Sequence, residues 1–436
     1  MGYFLLFILF FLLLFSYFIS RRDLISPWFI SVGVYLISSF VAVINLDRWN
    51  ETISANTVLI ITIALIAFGI GQISSSVFKI NKNAANAANA VKIYKIYVPF
   101  HRILIAFSIG LMIVFLMYKR LVVLATIGGY SGSGYILNYA RVAIIHYDAS
   151  WGALIGVLQF FTMGIGYVFT YVFVNNILYE GKLFKGFKKN SIYLLPIIPF
   201  ILVEVMSTGR NGFIRLTAMT LFLGIITWKI QNGWKNANKK NFRLMIIASV
   251  LFLAFYVTFI KLGDLTGKNL VYSLNDTISV YTGGSIVALD NYLENSQIKS
   301  INFGEETLYG LKFIFNKLGF DVLVENRHLE FIHFNNGYST NVYTALRRYI
   351  HDYGYFGMVL IQFLIGLFFG VFYKLIKKRN KADLLLIIYA YVANALIMQS
   401  IDDSFLTVFL SVSQVFSIFF IVVCYKFFIK KKYNHL

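Results

Sequence analysis

The sequence predicts an all-α membrane protein that crosses the bilayer about eleven times and carries one large loop. Of its 436 residues, 58% are hydrophobic and only 13% are charged, whereas soluble domains average roughly 25% charged residues. The apolar residues form stretches without any charge, such as 3–19, 58–70 and 384–398. A helix of about 20 apolar residues spans the hydrocarbon core, so these stretches indicate transmembrane helices.

We expect the whole chain, residues 1–436, to form a single transmembrane domain. The predicted spans are 2–19, 25–46, 58–78, 103–118, 151–178, 191–208, 212–229, 244–262, 353–375, 384–400 and 404–425. The segment 119–150 is rich in glycine and is expected to be an outer loop with a short re-entrant piece. The large loop covers residues 263–352 and holds 10 of the 19 acidic residues. A connection of this length is uncommon unless it has a function.

Basic residues predict the orientation of the spans. Six short segments hold 25 of the 39 lysines and arginines. The segments are 21–22, 79–102, 182–189, 229–243, 374–381 and 426–432. All six face the cytoplasm, as the positive-inside rule requires, if the N-terminus lies outside and the C-terminus inside. The net charge of +20 therefore reflects membrane orientation, and no nucleic-acid partner is expected.

The first candidate site is the link between the sixth and seventh spans, which contains Glu204, Arg210 and Arg215. Ionisable residues within a membrane span are costly and commonly functional. The planar fork of arginine suits phosphate oxygens. The structural alternative is that Arg210 extends to the membrane interface and that Glu204 neutralises it.

The second candidate site ends the large loop, at residues 341–357. In a helix, Arg347 shares a face with His351, and Arg348 shares one with Asp352. Two cations beside a histidine and a carboxylate can bind a pyrophosphate group and transfer a proton. The alternative is an interfacial amphipathic helix with tyrosine anchors. The anchors would be Tyr343, Tyr349 and Tyr353.

A third candidate is the pair Asp402–Asp403, in the short turn between the last two spans. Adjacent carboxylates can bind a metal or act as a general base, and the alternative is a solvated turn. The sequence contains no Walker A motif, no His-Glu-x-x-His motif and no paired-cysteine metal motif, which argues against an ATP-driven motor and against the common zinc sites.

These residues resemble the bacterial oligosaccharide repeat unit polymerases, which are the O-antigen and capsule polymerases. The resemblance rests on the Ser207-Thr-Gly-Arg210 step between two helices, on the long outer loop, and on the residues from Asn341 to Gly357 that enter a helix. It implies a GT-C-like architecture shared with the O-antigen ligases. It also implies a glycosyltransferase at the periplasmic face of the inner membrane that needs no metal and no other cofactor.

The resemblance further implies roles for individual residues. The nascent glycan on one undecaprenyl diphosphate would move en bloc to a fresh lipid-linked repeat unit. The residues expected to bind the diphosphate are Arg210, Arg215, Arg347 and Arg348. The candidate catalytic residues are Asp352, His351 and Glu204. The residues expected to contact glycan are Asn341, Tyr343, Tyr349 and Asp402. The partners are the two lipid-linked oligosaccharides, membrane lipid and, as an open question, a chain-length regulator protein.

Two other functions are compatible with the sequence. A lipid-linked oligosaccharide flippase or transporter also binds undecaprenyl diphosphate through cationic residues, but such proteins usually contain internal repeats and short loops. An O-antigen ligase belongs to the same transferase class, and the sequence separates it poorly from a polymerase.

Overall fold

The structure is a computed structural model that describes residues 1–78, 94–207, 211–234, 273–295, 303–322, 329–409 and 411–429. Within these ranges, seven helices are long and apolar enough to cross a membrane, or eight if one bent pair counts as a single span. The expectation of a mostly helical, multi-pass membrane protein is therefore confirmed. The count of eleven spans stays a prediction, and the span predicted at 244–262 lies outside the described residues.

In chain order, the described helices are α1 (Gly2–Ile19), α2 (Pro27–Trp49), α3 (Ala55–Ser74), α4 (Phe100–Ile127), α5 (Ile136–His146), α6 (Ala153–Tyr179), α7 (Leu183–Asn190), α8 (Ile197–Met206), α9 (Asn211–Gln231), α10 (Leu274–Thr282), α11 (Gly284–Asn295), α12 (Tyr309–Lys317), α13 (Ala345–Arg379), α14 (Leu384–Val392), α15 (Asn394–Met398), α16 (Leu406–Phe409) and α17 (Val412–Phe428). Two short strands, β1 (Ile332–His333) and β2 (Ser339–Thr340), form an antiparallel hairpin.

The chain folds into two compact units. The first comprises Met1–Ala84, Tyr272–Lys378 and Ala393–Gln414, and the second comprises Ala85–Val271, Arg379–Val392 and Val415–Leu436. The predicted large loop belongs mainly to the first unit, where its described part contains α10, α11, α12, the hairpin and the beginning of α13.

Helices α1, α2 and α3 pack against one another in the first unit. The Trp28 indole N–H donates to the Leu65 carbonyl at 2.9 Å, which ties α2 to α3. Gly69 has no side chain, and the Trp28 ring takes the space that a Cβ there would need. Ser54 caps α3, because its hydroxyl accepts from the Thr57 backbone N–H, and this satisfies a donor that the first helical turn leaves unpaired.

Segments with basic residues meet at one end of the first unit. Lys377 Nζ, near the end of α13, lies 2.9 Å from Asp23 Oδ2, which directly follows the basic pair after α1. Lys374 Nζ donates to the carbonyl oxygen of Ser75 at 3.2 Å, so the end of α13 also contacts the end of α3. The C-terminal ends of α1, α3 and α13 therefore lie together.

The large loop covers the opposite end of α3. The Asn335 backbone N–H, in the hairpin, donates to Glu51 Oε1 at 2.9 Å. Asp290 Oδ1, in α11, accepts from the Ser54 hydroxyl at 2.7 Å and from its N–H at 2.9 Å. A helix of 20 residues is about 30 Å long, so the loop end and the basic end of this unit are separated by roughly the thickness of a bilayer core.

In the second unit, α6 packs against α4, α8 and α9, and α9 packs against α14. Helix α4 continues well past its predicted end at residue 118, to Ile127. Its last turns pack against α5, where Leu121 and Leu124 meet Ala140. The segment predicted as an outer loop with a re-entrant piece therefore contains a helical hairpin.

Basic segments also meet at one end of the second unit. Lys95, which precedes α4, and Lys189, near the end of α7, lie 3.0 and 3.2 Å from the carboxylate of Glu180 at the end of α6. The Arg102 guanidinium donates to the Phe427 carbonyl at the end of α17. The structure thus groups segments that the sequence predicts to face the cytoplasm.

Candidate functional site

The beginning of α13 carries two arginines, a histidine and an aspartate. Gly354 interrupts the helical geometry with φ 69° and ψ −174°, a backbone conformation that glycine adopts without strain. The bend separates a polar segment, residues 345–353, from the apolar remainder of the helix. The predicted i,i+4 relationships between Arg347 and His351 and between Arg348 and Asp352 hold, because this segment is helical.

Arg347 is the centre of the site, and its side chain is only 2% exposed. Its Nη1 donates to Glu306 Oε1, and its Nη2 lies 2.8 and 3.1 Å from the two carboxylate oxygens of Glu330. The guanidinium also lies 4.7 Å from the ring centre of Tyr292 and 5.3 Å from that of Tyr343, within cation–π range. These contacts satisfy a charge that would otherwise be costly to bury.

Arg348 shares one of these carboxylates. Its Nη1 lies 3.2 Å from Glu306 Oε2, so Glu306 bridges the two arginines. Its Nε lies 3.9 Å from Asp402 Oδ1. We call Arg347, Arg348, Glu306, Glu330 and Asp402 the arginine cluster, in which three carboxylates contact two guanidinium groups.

His351 lies beside the arginine cluster. Its Nδ1 is 3.2 Å from the Tyr292 hydroxyl, and its Nε2 lies 3.8 Å from Glu305 Oε2 and 3.7 Å from Glu306 Oε1. An imidazole that contacts a hydroxyl and lies close to carboxylates can be oriented by them for proton transfer. His351 therefore has the surroundings of a general base.

Asp352, the other candidate base, holds a turn of the large loop. Its carboxylate accepts from the backbone N–H of Glu306 at 3.2 Å and from the N–H and hydroxyl of Thr307 at 2.8 and 2.6 Å. The Thr307 hydroxyl in turn lies 2.6 Å from the Tyr353 hydroxyl. In this arrangement Asp352 positions Glu306 against the arginines.

The residues expected to contact glycan have different surroundings. Tyr343 is buried, and its hydroxyl lies 3.3 Å from Glu330 Oε1. Tyr349 is also buried, and it donates to Asp403 at 2.8 Å. Asn341 is half-buried in the chain after β2, and Asp402 is half-buried beside Arg348.

Glu330 is the most exposed carboxylate that touches Arg347, with 52% of its side chain accessible. Partial burial alone would raise the pKa of Glu330. The Arg347 charge, together with hydrogen bonds that include those from Arg347 and Tyr343, holds this pKa below its ordinary value. Glu330 is therefore ionised at neutral pH and neutralises Arg347 from the loop side.

The other predicted site, around Glu204 and Arg215, lies in the second unit. Arg215 donates to the Tyr391 hydroxyl at 3.1 Å and lies within electrostatic range of Glu204. A Cβ on Gly212 would lie 1.8 Å from Glu204 Oε2, so this glycine is needed for the carboxylate to lie against the backbone. Arg210 lies outside the described residues.

Local sequence patterns did not reveal Glu305, Glu306, Thr307 or Glu330 as site residues. The acidic excess of the large loop was the one available signal, because two buried arginines require carboxylate partners. Within the described ranges, no group of three histidine, cysteine, aspartate or glutamate side chains is placed to hold a metal ion.

The arrangement therefore places two buried arginines, paired with carboxylates, beside His351 at the point where the large loop enters a membrane-spanning helix. No protein-family model, no curated protein and no solved structure matches this chain.

Proposed function

We propose that the chain is a glycosyltransferase that polymerises oligosaccharide repeat units carried on undecaprenyl diphosphate. The observation that supports this most directly is the buried arginine pair next to His351 at the start of α13. A diphosphate leaving group develops negative charge during transfer, and fixed guanidinium groups stabilise such charge. The resemblance noted in the sequence supplies the substrate class.

In the proposed reaction, a hydroxyl oxygen of the acceptor sugar forms a bond to the anomeric carbon of the donor glycan. The bond from that carbon to the diphosphate oxygen breaks, and undecaprenyl diphosphate leaves with the electron pair. His351 takes the hydroxyl proton, assisted by the neighbouring carboxylates of Glu305 and Glu306. Arg347 and Arg348 hold the diphosphate. The roles expected for Arg210 and Arg215 stay predictions.

The proposal places the protein in the inner membrane of a bacterium, with the large loop in the periplasm. The N-terminus would be periplasmic and the C-terminus cytoplasmic. The contacts that gather basic segments at one end of each unit support this orientation. A GT-C-like architecture, shared with the O-antigen ligases, is part of the same proposal.

Deletion of the gene followed by glycan profiling tests the proposal. A strain without the polymerase should attach a single repeat unit to the final acceptor. A strain without a flippase would attach none, and a strain without a ligase would accumulate long lipid-linked polymer. Normal chain lengths in the deletion strain would refute the polymerase function.

A matched pair of arginine variants tests the site. Arg347→Lys keeps the positive charge but loses the planar fork, and we expect it to reduce polymerisation at least tenfold in the complemented strain, about 1.4 kcal/mol or more in the transition state. Arg48→Lys makes the same change at a half-exposed arginine outside the cluster, and it should leave chain length unchanged. Immunoblots of the membrane fraction check that both proteins accumulate equally. Equal chain lengths in the two variants would remove Arg347 from the proposal.

A further inference from the structure

The carboxylate of Glu306 lies where an anionic ligand of the arginine pair would lie. One of its oxygens contacts Arg347 Nη1, and the other is 3.2 Å from Arg348 Nη1. Two oxygens of a phosphate group bind neighbouring guanidinium groups in the same way. The protein's own side chain therefore occupies the anion-binding position.

Polar contacts hold Glu306 in this position. The turn that contains Glu306 is bound through its backbone and through Thr307 to the carboxylate of Asp352. Helix α12, which follows the turn, has half-buried and exposed residues but no fully buried one, and the Phe303 ring before the turn packs edge-on against Tyr353 at 4.9 Å. Each such hydrogen bond contributes on the order of 1 kcal/mol net, so a ligand displaces Glu306 only if its own contacts with the two arginines outweigh those of the glutamate.

Glu330 gives an internal comparison. It contacts Arg347 but not Arg348, and its side chain is half-exposed. Glu330 neutralises Arg347 but does not bridge Arg347 and Arg348. Removing the charge of Glu330 makes the same formal charge change beside Arg347, at a more exposed position, and leaves the bridging position occupied.

We propose that Glu306 is an internal occupant of the anion site formed by Arg347 and Arg348, and that a diphosphate binds there by displacing it. The identity of the ligand as a lipid-linked diphosphate rests on the proposed function, whereas the displacement requires only a diphosphate. The site is therefore closed until a ligand with at least two anionic oxygens replaces the glutamate.

The test measures diphosphate binding to the purified full-length protein in nanodiscs of zwitterionic lipid. Inorganic pyrophosphate and farnesyl diphosphate serve as probes in separate calorimetric titrations. We expect Glu306→Gln to bind pyrophosphate about tenfold more tightly than the wild-type protein, which is about 1.4 kcal/mol. Glu330→Gln, which makes the same charge change, should gain threefold at most. Combining Glu306→Gln with Arg348→Met should remove the gain.

Thr307→Val provides a second route to the same result if Glu306→Gln does not fold. It is nearly isosteric, and it removes the hydroxyl that donates to Asp352, so pyrophosphate should bind a few-fold more tightly. Tighter binding of farnesyl diphosphate than of pyrophosphate would assign the site to a lipid-linked diphosphate, and equal binding would assign it to a free diphosphate. Both results agree with displacement.

Two results would overturn the inference. If Glu306→Gln and Glu330→Gln tighten binding equally, the effect is a general change in potential and Glu306 is not an occupant. If neither Glu306→Gln nor Thr307→Val changes the affinity, the turn does not compete with the ligand. Normal chain lengths in the deletion strain would refute the polymerase function and leave the binding result standing, so the two failures are distinguishable.

Discussion

Asp402 and Asp403 are adjacent in the chain but have different surroundings. Asp402 is 37% exposed and lies near Arg348, whereas Asp403 is 1% exposed. The carboxylate of Asp403 accepts from the Tyr349 hydroxyl at 2.8 Å and from the backbone N–H groups at the start of α16 at 2.9–3.0 Å. The sequence left a metal or base site and a solvated turn open for this pair, and the structure divides it into an arginine partner and a helix cap.

Replacing Asp403 should therefore destabilise the protein far more than replacing its neighbour. Asp403→Ala leaves the Tyr349 hydroxyl and several backbone donors buried without an acceptor, and we expect a loss of about 2–4 kcal/mol. Asp403→Asn keeps one acceptor oxygen and should lose less. Unfolding in mixed micelles of increasing SDS content measures the change.

Asp402→Ala is the matched control, because it removes the same group from a half-exposed position, and we expect a loss of about 1 kcal/mol or less, as for a half-exposed ion pair. Similar losses for the two alanine variants would show that the hydrogen bonds of Asp403 contribute little to the fold.

The sequence predicted the site residues on α13 but not the loop carboxylates that contact them. Arg347, Arg348 and His351 follow from helical spacing, which is a local property of the chain. Glu306 is 41 residues from Arg347, and Glu330 is 17 residues from it. Whether these two glutamates come close to Arg347 depends on how the loop folds. No local sequence periodicity encodes that long-range contact. Asp352 was predicted as a base from its charge and spacing, and its contact with the turn of Glu306 has the same long-range origin.

At the scale of elements, two glycines allow α3 and α13 to cross closely. A Cβ on Gly71 would lie 2.0 Å from the Phe363 carbonyl oxygen, and a Cβ on Gly366 would lie 2.0 Å from the Phe68 carbonyl oxygen. Small residues are the usual means of bringing helix backbones together in membranes, where apolar burial drives association weakly. The position of α13, and with it that of the arginine cluster, depends on this crossing.

Adding one methyl group at the crossing should separate the two helices. Gly366→Ala and Gly71→Ala place a Cβ against backbone that cannot rotate away, and we expect each to destabilise the protein by about 1–3 kcal/mol. The same SDS titration measures the loss.

Gly33→Ala in α2 is the control, since its Cβ would meet only Leu13 at an ordinary 3.8 Å. It should be neutral or slightly stabilising, because alanine favours helix more than glycine does. A loss at Gly33 as large as that at Gly366 would mean that the close approach of α3 and α13 does not determine the cost.

Hydropathy predicted the existence of these helices better than their ends. The prediction for α1 agrees with the structure, because both ends of its apolar stretch coincide with the helix ends. Helix α4 passes its predicted end, since Lys119 and Arg120 lower the hydropathy without interrupting the backbone hydrogen bonds. Helix α13 begins eight residues before the predicted residue 353 for the same reason. Hydropathy reports contact with lipid, whereas a helix ends only where its backbone geometry changes.

For the whole molecule, basic residues predict the orientation, and the structure places these basic residues and the large loop at opposite ends of the first unit. The sequence argument counts basic residues between spans. The structural argument is that the ends of α1, α3 and α13 are joined by Lys374 and Lys377, while the large loop lies at the other end of α3. Because a 20-residue helix covers the bilayer core, the two ends of the first unit should face opposite compartments.

Accessibility of two introduced cysteines tests this orientation. Ser76→Cys lies at the basic end of the first unit, and Lys317→Cys lies on the large loop at the end of α12; both positions are exposed. Each is made in a Cys424→Ala background, which removes the only native cysteine. In intact spheroplasts, a membrane-impermeant maleimide should label Lys317→Cys. It should label Ser76→Cys only after permeabilisation, because the positive-inside rule assigns the basic end to the cytoplasm.

Two labelling patterns would contradict this orientation. The reverse pattern would place the arginine cluster on the cytoplasmic side, where a periplasmic polymerase could not use it. Labelling of both cysteines in intact spheroplasts would contradict the span assigned to α3.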